Sequence, residues 1–170
     1  GGLAANYTLS SGTHLLTINQ KPVSITGTRT YDATAITLPT DLSIGGLVGG
    51  ESISLTGQGS IADKNVGAGK TITLNTLTLN NGANPTHLAS NYTFTGGTHT
   101  FDVTKRPLTF NGTKVYDGNT TVSPSELTTI INLAGGETLS LTGSGSVASA
   151  NVQTGQSITN GSLAINDGTG

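Results

Sequence analysis

The chain has 170 residues, only 9% of them charged, and a formal net charge of −2. A nucleic-acid surface needs clustered lysine and arginine, which the 7 such residues here do not supply. Cysteine is absent, which excludes disulfides and cysteine-ligated metals, and no apolar run approaches the ~20 residues needed for membrane insertion. The 31 threonines and 25 glycines favour strands and turns, and so predict an all-β protein.

Apolar and polar residues alternate in short segments along the whole chain, as they do in half-buried antiparallel strands. In chain order these segments are 23–26, 53–56, 72–74, 77–79, 92–94, 108–110 and 139–142. Ser-Gly, Gly-Gly and Asn-Gly turn signals separate them, and no segment carries a sustained helical stripe. We therefore predict roughly six to eight short strands in each half of the chain, forming an immunoglobulin-like β-sandwich.

The sequence contains two copies of one pattern. Residues 3–9 (LAANYTL) return as residues 88–94 (LASNYTF), a shift of 85, and Gly49-Gly50-Glu51 returns at a shift of 86. Each copy is long enough for a small domain with its own core. The predicted core is Val23, Ile25, Tyr31, Ile53, Leu55 and Leu74 in the first copy, and Leu108, Phe110, Tyr116, Leu139, Leu141 and Ile158 in the second.

Two frames divide the copies into domains. The turn-rich stretch 80–85 favours tandem antiparallel sandwiches at residues 1–85 and 86–170. The alternative frame has one complete unit at 20–104, flanked by partial units at 1–19 and 105–170. Since the chain begins and ends within the pattern, we expect it to be a segment of a longer protein.

The repeated motifs resemble a known family. Residues 21–27 are followed by Tyr31-Asp32, and 105–110 by Tyr116-Asp117. Gly-Gly-Glu, Ser-Leu-Thr-Gly-x-Gly-Ser and Asn-Tyr-Thr complete the set. The set resembles the YDG family, a relative of the MBG bacterial immunoglobulin-like repeats. Ala33 departs from the motif, which has glycine there, and Ser149-Ala150 replaces Asp63-Lys64. The resemblance implies an extracellular repeat of large secreted exoproteins of the filamentous haemagglutinin and adhesin type, and it supplies no catalytic residues.

The titratable residues do not form a recurring cluster in the sequence. His14 and His99 are equivalent, and His87 stands alone, so a zinc site of three or four ligands is not expected and the histidines are predicted to be exposed. Glu51 and Glu137 recur after Gly-Gly without a carboxylate partner and are predicted to be solvated turn residues. Asp102 lacks the companions that a calcium site needs. We predict no catalytic, cofactor-binding or metal-binding residues, and no enzyme activity.

Other repeated residues favour structural roles. The Tyr-Asp pairs predict a buried tyrosine and a turn-opening aspartate. Gly57, Gly59, Gly143 and Gly145 predict bulges or sharp bends. Five sequons, at Asn6, Asn91, Asn111, Asn119 and Asn160, leave glycosylation open. A shared Lys–Asn crosslink is not expected, because Lys64 and Lys70 become Ala150 and Gln156.

Two functions remain open from the sequence. The first is a spacer that holds an adhesive tip away from a bacterial surface, with neighbouring repeats as its partners and host or biofilm ligands bound through other domains. The second is a glycan- or protein-binding module that acts through its loops. The scarcity of aromatic residues, 4% of the chain, favours the spacer. Residues 98–110 alternate with little interruption and lack a Gly/Ser cluster, which predicts a stiff, extended junction.

Overall fold

The computed structural model describes residues 1–9 and 12–168, and these form short strands and short 3-10 turns. The strands are β1 (Lys21–Pro22), β2 (Ser24–Thr30), β3 (Ile36–Thr37), β4 (Leu42–Gly45), β5 (Ser54–Thr56), β6 (Gly59–Ser60), β7 (Gly67–Thr71), β8 (Thr78–Asn80), β9 (Tyr92–Thr93), β10 (His99–Thr104), β11 (Thr109–Asn111), β12 (Thr121–Val122), β13 (Thr129–Ile131), β14 (Ser140–Thr142), β15 (Gly145–Val147), β16 (Ile158–Thr159) and β17 (Ala164–Asn166). The 3-10 turns are Ala4–Asn6, Pro39–Asp41, Ala89–Asn91 and Pro124–Glu126. The all-β prediction is confirmed.

The largest sheet pairs a strand near the start of residues 21–104 with the strand at the end of the same range. Its strand order is β4-β2-β10-β7, and β2 and β10 pair in parallel from Ile25↔His99 to Thr30↔Thr104. β1 and β9 are also parallel. The purely antiparallel arrangement predicted from the alternation is therefore wrong in these two pairs. A parallel neighbour needs a long crossover, and here the strands between β2 and β10 provide it. We call residues 21–104 the first unit and residues 105–168 the second unit.

The core of the first unit packs on this sheet through Ile25, Phe101 and Val103, and Leu55 of β5 packs against it. Its buried cluster is Ile25, Ile61, Ile72, Leu77, Phe101 and Val103. Val23 and Ile25 are buried as predicted, and Tyr31, Leu55 and Leu74 pack against the cluster while remaining partly accessible. Phe101 and Val103 come from β10, so the last strand of the unit supplies two of its core side chains.

The second unit is less completely paired. Its sheets are β11–β13, β12–β15–β16 and β14–β17. Among its described residues Val122, Leu127 and Ala134 are buried, whereas the predicted core residues Leu108, Phe110, Leu139, Leu141 and Ile158 are only half-buried. Tyr116 is 63% exposed, so its assignment to the core is wrong. The difference from Tyr31 has a physical cause, which is that the second unit has no described counterpart of β10 beside β11.

The Gly-x-Gly motifs make sharp bends, as predicted. Gly57 and Gly143 both have positive φ, 83° and 81°. A side chain on Gly57 would lie 2.0 Å from the carbonyl oxygen of Thr76, and one on Gly143 would lie 2.1 Å from that of Ser162. Only glycine accommodates both the conformation and the close backbone approach.

Candidate functional site

The three histidines, which were predicted to be exposed, have different environments. His14 is exposed, but His87 and His99 are half-buried, so the prediction of exposure is wrong for these two. His99 Nδ1 accepts a hydrogen bond from the Ile25 amide at 3.2 Å, which places the proton on Nε2, where it is donated to the Phe94 carbonyl oxygen at 3.1 Å. The His99 ring therefore ties β10 to β2.

The Tyr-Asp motif opens a turn in both copies, as predicted. Asp32 Oδ1 accepts from the Thr34 amide at 3.0 Å, and Asp117 Oδ1 accepts from the Asn119 amide at 2.9 Å. The residue after each aspartate is left-handed, with φ of 67° at Ala33 and 77° at Gly118. The motif therefore needs glycine at this position for conformational reasons, and Ala33 departs from it at the expense of backbone strain.

The two repeated glutamates bind side chains, so their prediction as solvated turn residues is wrong. Glu51 accepts a hydrogen bond from the Tyr92 hydroxyl. Glu137 belongs to the second unit but accepts from two groups of the first: Lys64 Nζ, at 2.7 Å, and the Tyr31 hydroxyl. The Glu137 side chain is only 20% exposed. Glu137 is thus a contact residue between units, whereas Glu51 and Tyr92 both belong to the first unit.

The electrostatics of this contact favour the ion pair. The hydrogen bonds from Lys64 and then Tyr31 lower the pKa of Glu137. The bond to Glu137 raises the pKa of Lys64, and the same partner raises the pKa of the Tyr31 hydroxyl. All three shifts stabilise a charged Lys64–Glu137 pair at neutral pH.

A second group of hydrogen bonds involves residues 105–108, which connect the two units. Arg106 Nη1 donates to the Tyr31 carbonyl oxygen at 3.4 Å, while Nε and Nη2 donate to the carbonyl and side-chain oxygens of Asn132, each at 2.5 Å. Asn132 in turn donates to the Pro107 carbonyl oxygen at 2.9 Å. We call Tyr31, Lys64, Arg106, Asn132 and Glu137 the junction cluster, and it is the candidate functional site.

Sequence reasoning singled out Tyr31, Lys64 and Glu137 separately but did not bring them together. Tyr31 and Lys64 precede Glu137 by more than seventy positions, and no local pattern encodes a contact at that separation. The available signal was the change of Lys64 to Ala150 while the glutamate recurs. That combination indicates a lysine whose partner lies outside its own unit.

The remaining candidates have local partners or are exposed. Lys70 Nζ pairs with Asp63 at 2.5 Å, and Asp102 accepts from the Gly69 amide at 2.7 Å. The five sequon asparagines are all exposed. Across residues 1–9 and 12–168, no group of three or more His, Asp or Glu side chains is placed to hold a metal ion. Within the same residues there is no helix with the length and apolar character to span a bilayer.

Comparison with known proteins gives one result. The YDG domain family matches residues 16–100 and 104–170. Neither the curated proteins nor the solved structures yield a match. The two matched segments account for most of the sequence, and the residues between them, 101–103, lie within β10. The chain therefore belongs to the YDG domain family.

Proposed function

We propose that this chain is a non-catalytic spacer, in which tandem immunoglobulin-like sandwiches hold an adhesive part of a large bacterial protein away from the cell. The single observation that carries the proposal is the parallel pairing of β2 with β10. The chain enters the first unit at the start of β2 and leaves it at the end of β10. Because the two strands run in the same direction side by side, these points lie at opposite ends of the sheet.

With this arrangement, each unit carries the chain forward by a fixed distance. The seven residues of β2 span about 23 Å at a rise of ~3.3 Å per residue. The next strand, β11, begins at Thr109, five residues after β10 ends, and that step adds at most ~17 Å. Each repeat therefore advances the chain by about 23–40 Å along one direction.

The junction cluster supports a fixed angle between successive units. The connecting residues 105–108 contain Pro107, which restricts its own φ and favours an extended residue before it. Arg106 contacts Tyr31 of the first unit and Asn132 of the second, and Glu137 binds Lys64 from the other side of the boundary. A connection with bonds on both sides restrains bending more than a flexible linker does.

We further propose that 20–104 is the folding unit, in preference to 1–85. Support comes from β9 and β10, which lie beyond residue 85 and yet pair with β1 and β2. Phe101 and Val103 of β10 also pack in the same buried cluster as Ile25. The frame 1–85 would separate these side chains from the core that they complete.

The parent protein in this proposal is a secreted or surface-attached exoprotein of the filamentous haemagglutinin type. Support comes from the resemblance of the repeated motifs to bacterial adhesin repeats and from the absence of cysteine. A cysteine-free domain folds without oxidation after export. Its partners in this role are the neighbouring repeats, while host or biofilm ligands are bound by other domains.

A glycan-binding module remains the second candidate because of two exposed tyrosines. Tyr7 is 76% exposed and Tyr116 is 63% exposed, although the scarcity of aromatic residues in the sequence favours the spacer. Exposed aromatic faces are common in sugar-binding sites. A glycan array probed with the 170-residue chain distinguishes the candidates, because the spacer role gives no ligand and a module gives a reproducible class of glycans.

Small-angle X-ray scattering on arrays of one to four copies of residues 20–104 tests the spacer. The maximum dimension should grow linearly, by about 23–40 Å per added copy. A matched control array carries a Gly-Ser insertion between Gln20 and Lys21 of each added copy, the counterparts of Lys105 and Arg106, and its maximum dimension should grow less steeply as copies are added. Native and control arrays with the same compact or broadly distributed ensemble would contradict both the stiff junction and the spacer.

A further inference from the structure

Backbone strain is found at the boundary between the two units. Among residues 1–9 and 12–168, three non-glycine residues have positive φ: Ala33 at 67°, Asn75 at 44° and Asn132 at 76°. Asparagine tolerates this conformation, whereas the Cβ of alanine lies too close to the following carbonyl oxygen. Ala33 is therefore the strained residue, and it follows Tyr31, which binds Glu137 of the second unit. Strain of this kind persists where it serves a function, which indicates a role for Ala33 that glycine would not fill.

The methyl group of Ala33 lies against the second unit. A Cβ atom added to Gly135 would lie 2.7 Å from the Ala33 Cβ, and no other described atom outside its two chain neighbours would lie within 4 Å of it. Two carbon atoms in favourable contact are ~3.5–4.0 Å apart, so a side chain at 135 and the methyl group at 33 exclude each other. The Ala33 methyl thus takes the space that Gly135 leaves open, and a glycine at 33 would leave this space empty.

The Gly-Gly-Glu motif is a tight turn that presents a bare backbone and a carboxylate together. The Glu137 amide donates to the Ala134 carbonyl oxygen at 3.0 Å, and the central residues Gly135 and Gly136 have φ of 58° and 72°. Positive φ at both central positions is typical of type I′ turns and favours glycine. Residues 48–51 form the same turn in the first unit. The repeated motif therefore encodes one surface shape in both copies.

The Tyr-Asp turn contacts this surface at two points. The Tyr31 hydroxyl and Lys64 Nζ donate to Glu137, the latter at 2.7 Å. Ala33, two residues after Tyr31, contacts the space beside Gly135, two residues before Glu137. A single contact permits rotation about itself, whereas a polar and an apolar contact between the same two turns fix an angle. The two repeated motifs are thus complementary across the unit boundary.

We propose that the Tyr-Asp turn of one unit and the Gly-Gly-Glu turn of the next form a docking interface, in which the Ala33 methyl fills the place of the missing side chain at Gly135. The partner that this surface fits is a neighbouring repeat with glycine at the first central turn position and glutamate two residues later. Ala33 is a positioning residue, which holds the angle between units at the expense of strain in its own unit. The inference rests on the proposed function, because a spacer needs a fixed angle, and it identifies the surface that sets this angle.

NMR residual dipolar couplings of the 170-residue chain measure the order between the units. In the native chain both units should share one alignment tensor. In Ala33→Gly the tensor magnitudes of the two units should differ, because the loss of the methyl contact permits motion between them. The same substitution should raise the urea midpoint of the first unit, because it removes strain. A role of Ala33 within its own unit alone would leave the shared tensor unchanged.

Substitutions at the facing turn test the other side of the contact. Gly135→Ala should separate the tensors, because its methyl group would collide with Ala33. The matched controls are Gly136→Ala and Gly49→Ala, which add alanine at φ of 72° and 50° where an added Cβ has no described neighbour within 4 Å. Both controls should keep the shared tensor. The double variant Ala33→Gly/Gly135→Ala moves the methyl group to the opposite turn and should restore the shared tensor, which is a non-additive effect.

The outcomes separate this inference from the spacer role. A shared tensor in Ala33→Gly, a double variant no better ordered than Gly135→Ala, or controls that behave like Gly135→Ala would each overturn the docking role of Ala33. The spacer would stand in these cases if arrays of residues 20–104 still lengthen linearly. Independent tumbling of the two units in the native chain would overturn both proposals.

Discussion

Replacing Phe101 with alanine tests whether β10 completes the core of the first unit. Phe101 is 0% exposed and belongs to the buried cluster with Ile25 and Val103, and its ring also lies 5.4 Å from the Arg29 guanidinium. Truncation of a buried phenylalanine to alanine costs about 3–5 kcal/mol. A unit spanning residues 21–104 has a free energy of unfolding of about 4–13 kcal/mol. The substitution should therefore remove a large part of the stability of this unit.

Urea unfolding followed by circular dichroism measures this loss. With a slope of ~2 kcal/mol per molar urea, the midpoint of the first unit should fall by about 1.5–2.5 M. The matched control is Leu16→Ala at the equivalent repeat position, where the side chain is 87% exposed. Its effect on the free energy of unfolding should stay within ~0.5 kcal/mol. Equal effects of the two substitutions, or a loss below ~1 kcal/mol for Phe101→Ala, would refute the assignment of β10 to this core.

Three further predictions concern single residues. Thr37 Oγ1 is buried without a hydrogen-bond partner among the described residues, and Val122 is its counterpart, so Thr37→Val should raise the free energy of unfolding by about 1 kcal/mol in urea melts. Ala33 has a φ of 67°, so Ala33→Gly should stabilise the first unit by roughly 0.5–1 kcal/mol. Gly118 has a φ of 77°, so Gly118→Ala should destabilise the second unit. Opposite changes in the free energy of unfolding would contradict the inference that alanine is strained at this position. The pKa of Glu137 is lowered in the folded protein by its bonds to Lys64 and Tyr31. The free energy by which the ionised carboxylate stabilises the junction is therefore fully present above the ordinary glutamate pKa of ~4.3, and it is lost as the pH falls through the lower folded pKa. NMR spin relaxation should show more independent tumbling of the two units below that pH in the native chain. The substitution Glu137→Gln should abolish this pH dependence.

The sequence predicted the features that depend on neighbouring residues. Alternation predicts strands because successive side chains point to opposite faces, and the strand at Ile25 follows from this rule. The turns at Asp32 and Asp117 follow from the short acceptor side chain of aspartate, which reaches the amide two residues later. Each of these inferences needs only a few consecutive residues.

The features that were not predicted depend on distant partners. Alternation does not specify the direction of a neighbouring strand, so the parallel pairing of β2 and β10 was missed. Tyr31 and Tyr116 occupy the same motif, yet their exposure differs because only the first unit has a described last strand beside it. Glu137 was predicted to be solvated because its partners, Lys64 and Tyr31, lie across the unit boundary.

The parallel pairing of β2 with β10 has a mechanical consequence. When the two ends of an array are pulled apart, the force enters at the start of one strand and leaves at the end of its neighbour. The two strands must then slide past each other, and all six registered positions carry the load together rather than separating one after another as in a hairpin pulled open from its ends. Extension of a unit therefore requires near-simultaneous rupture of this ladder. We expect the array to keep its length under flow until the tension shears β10 from β2.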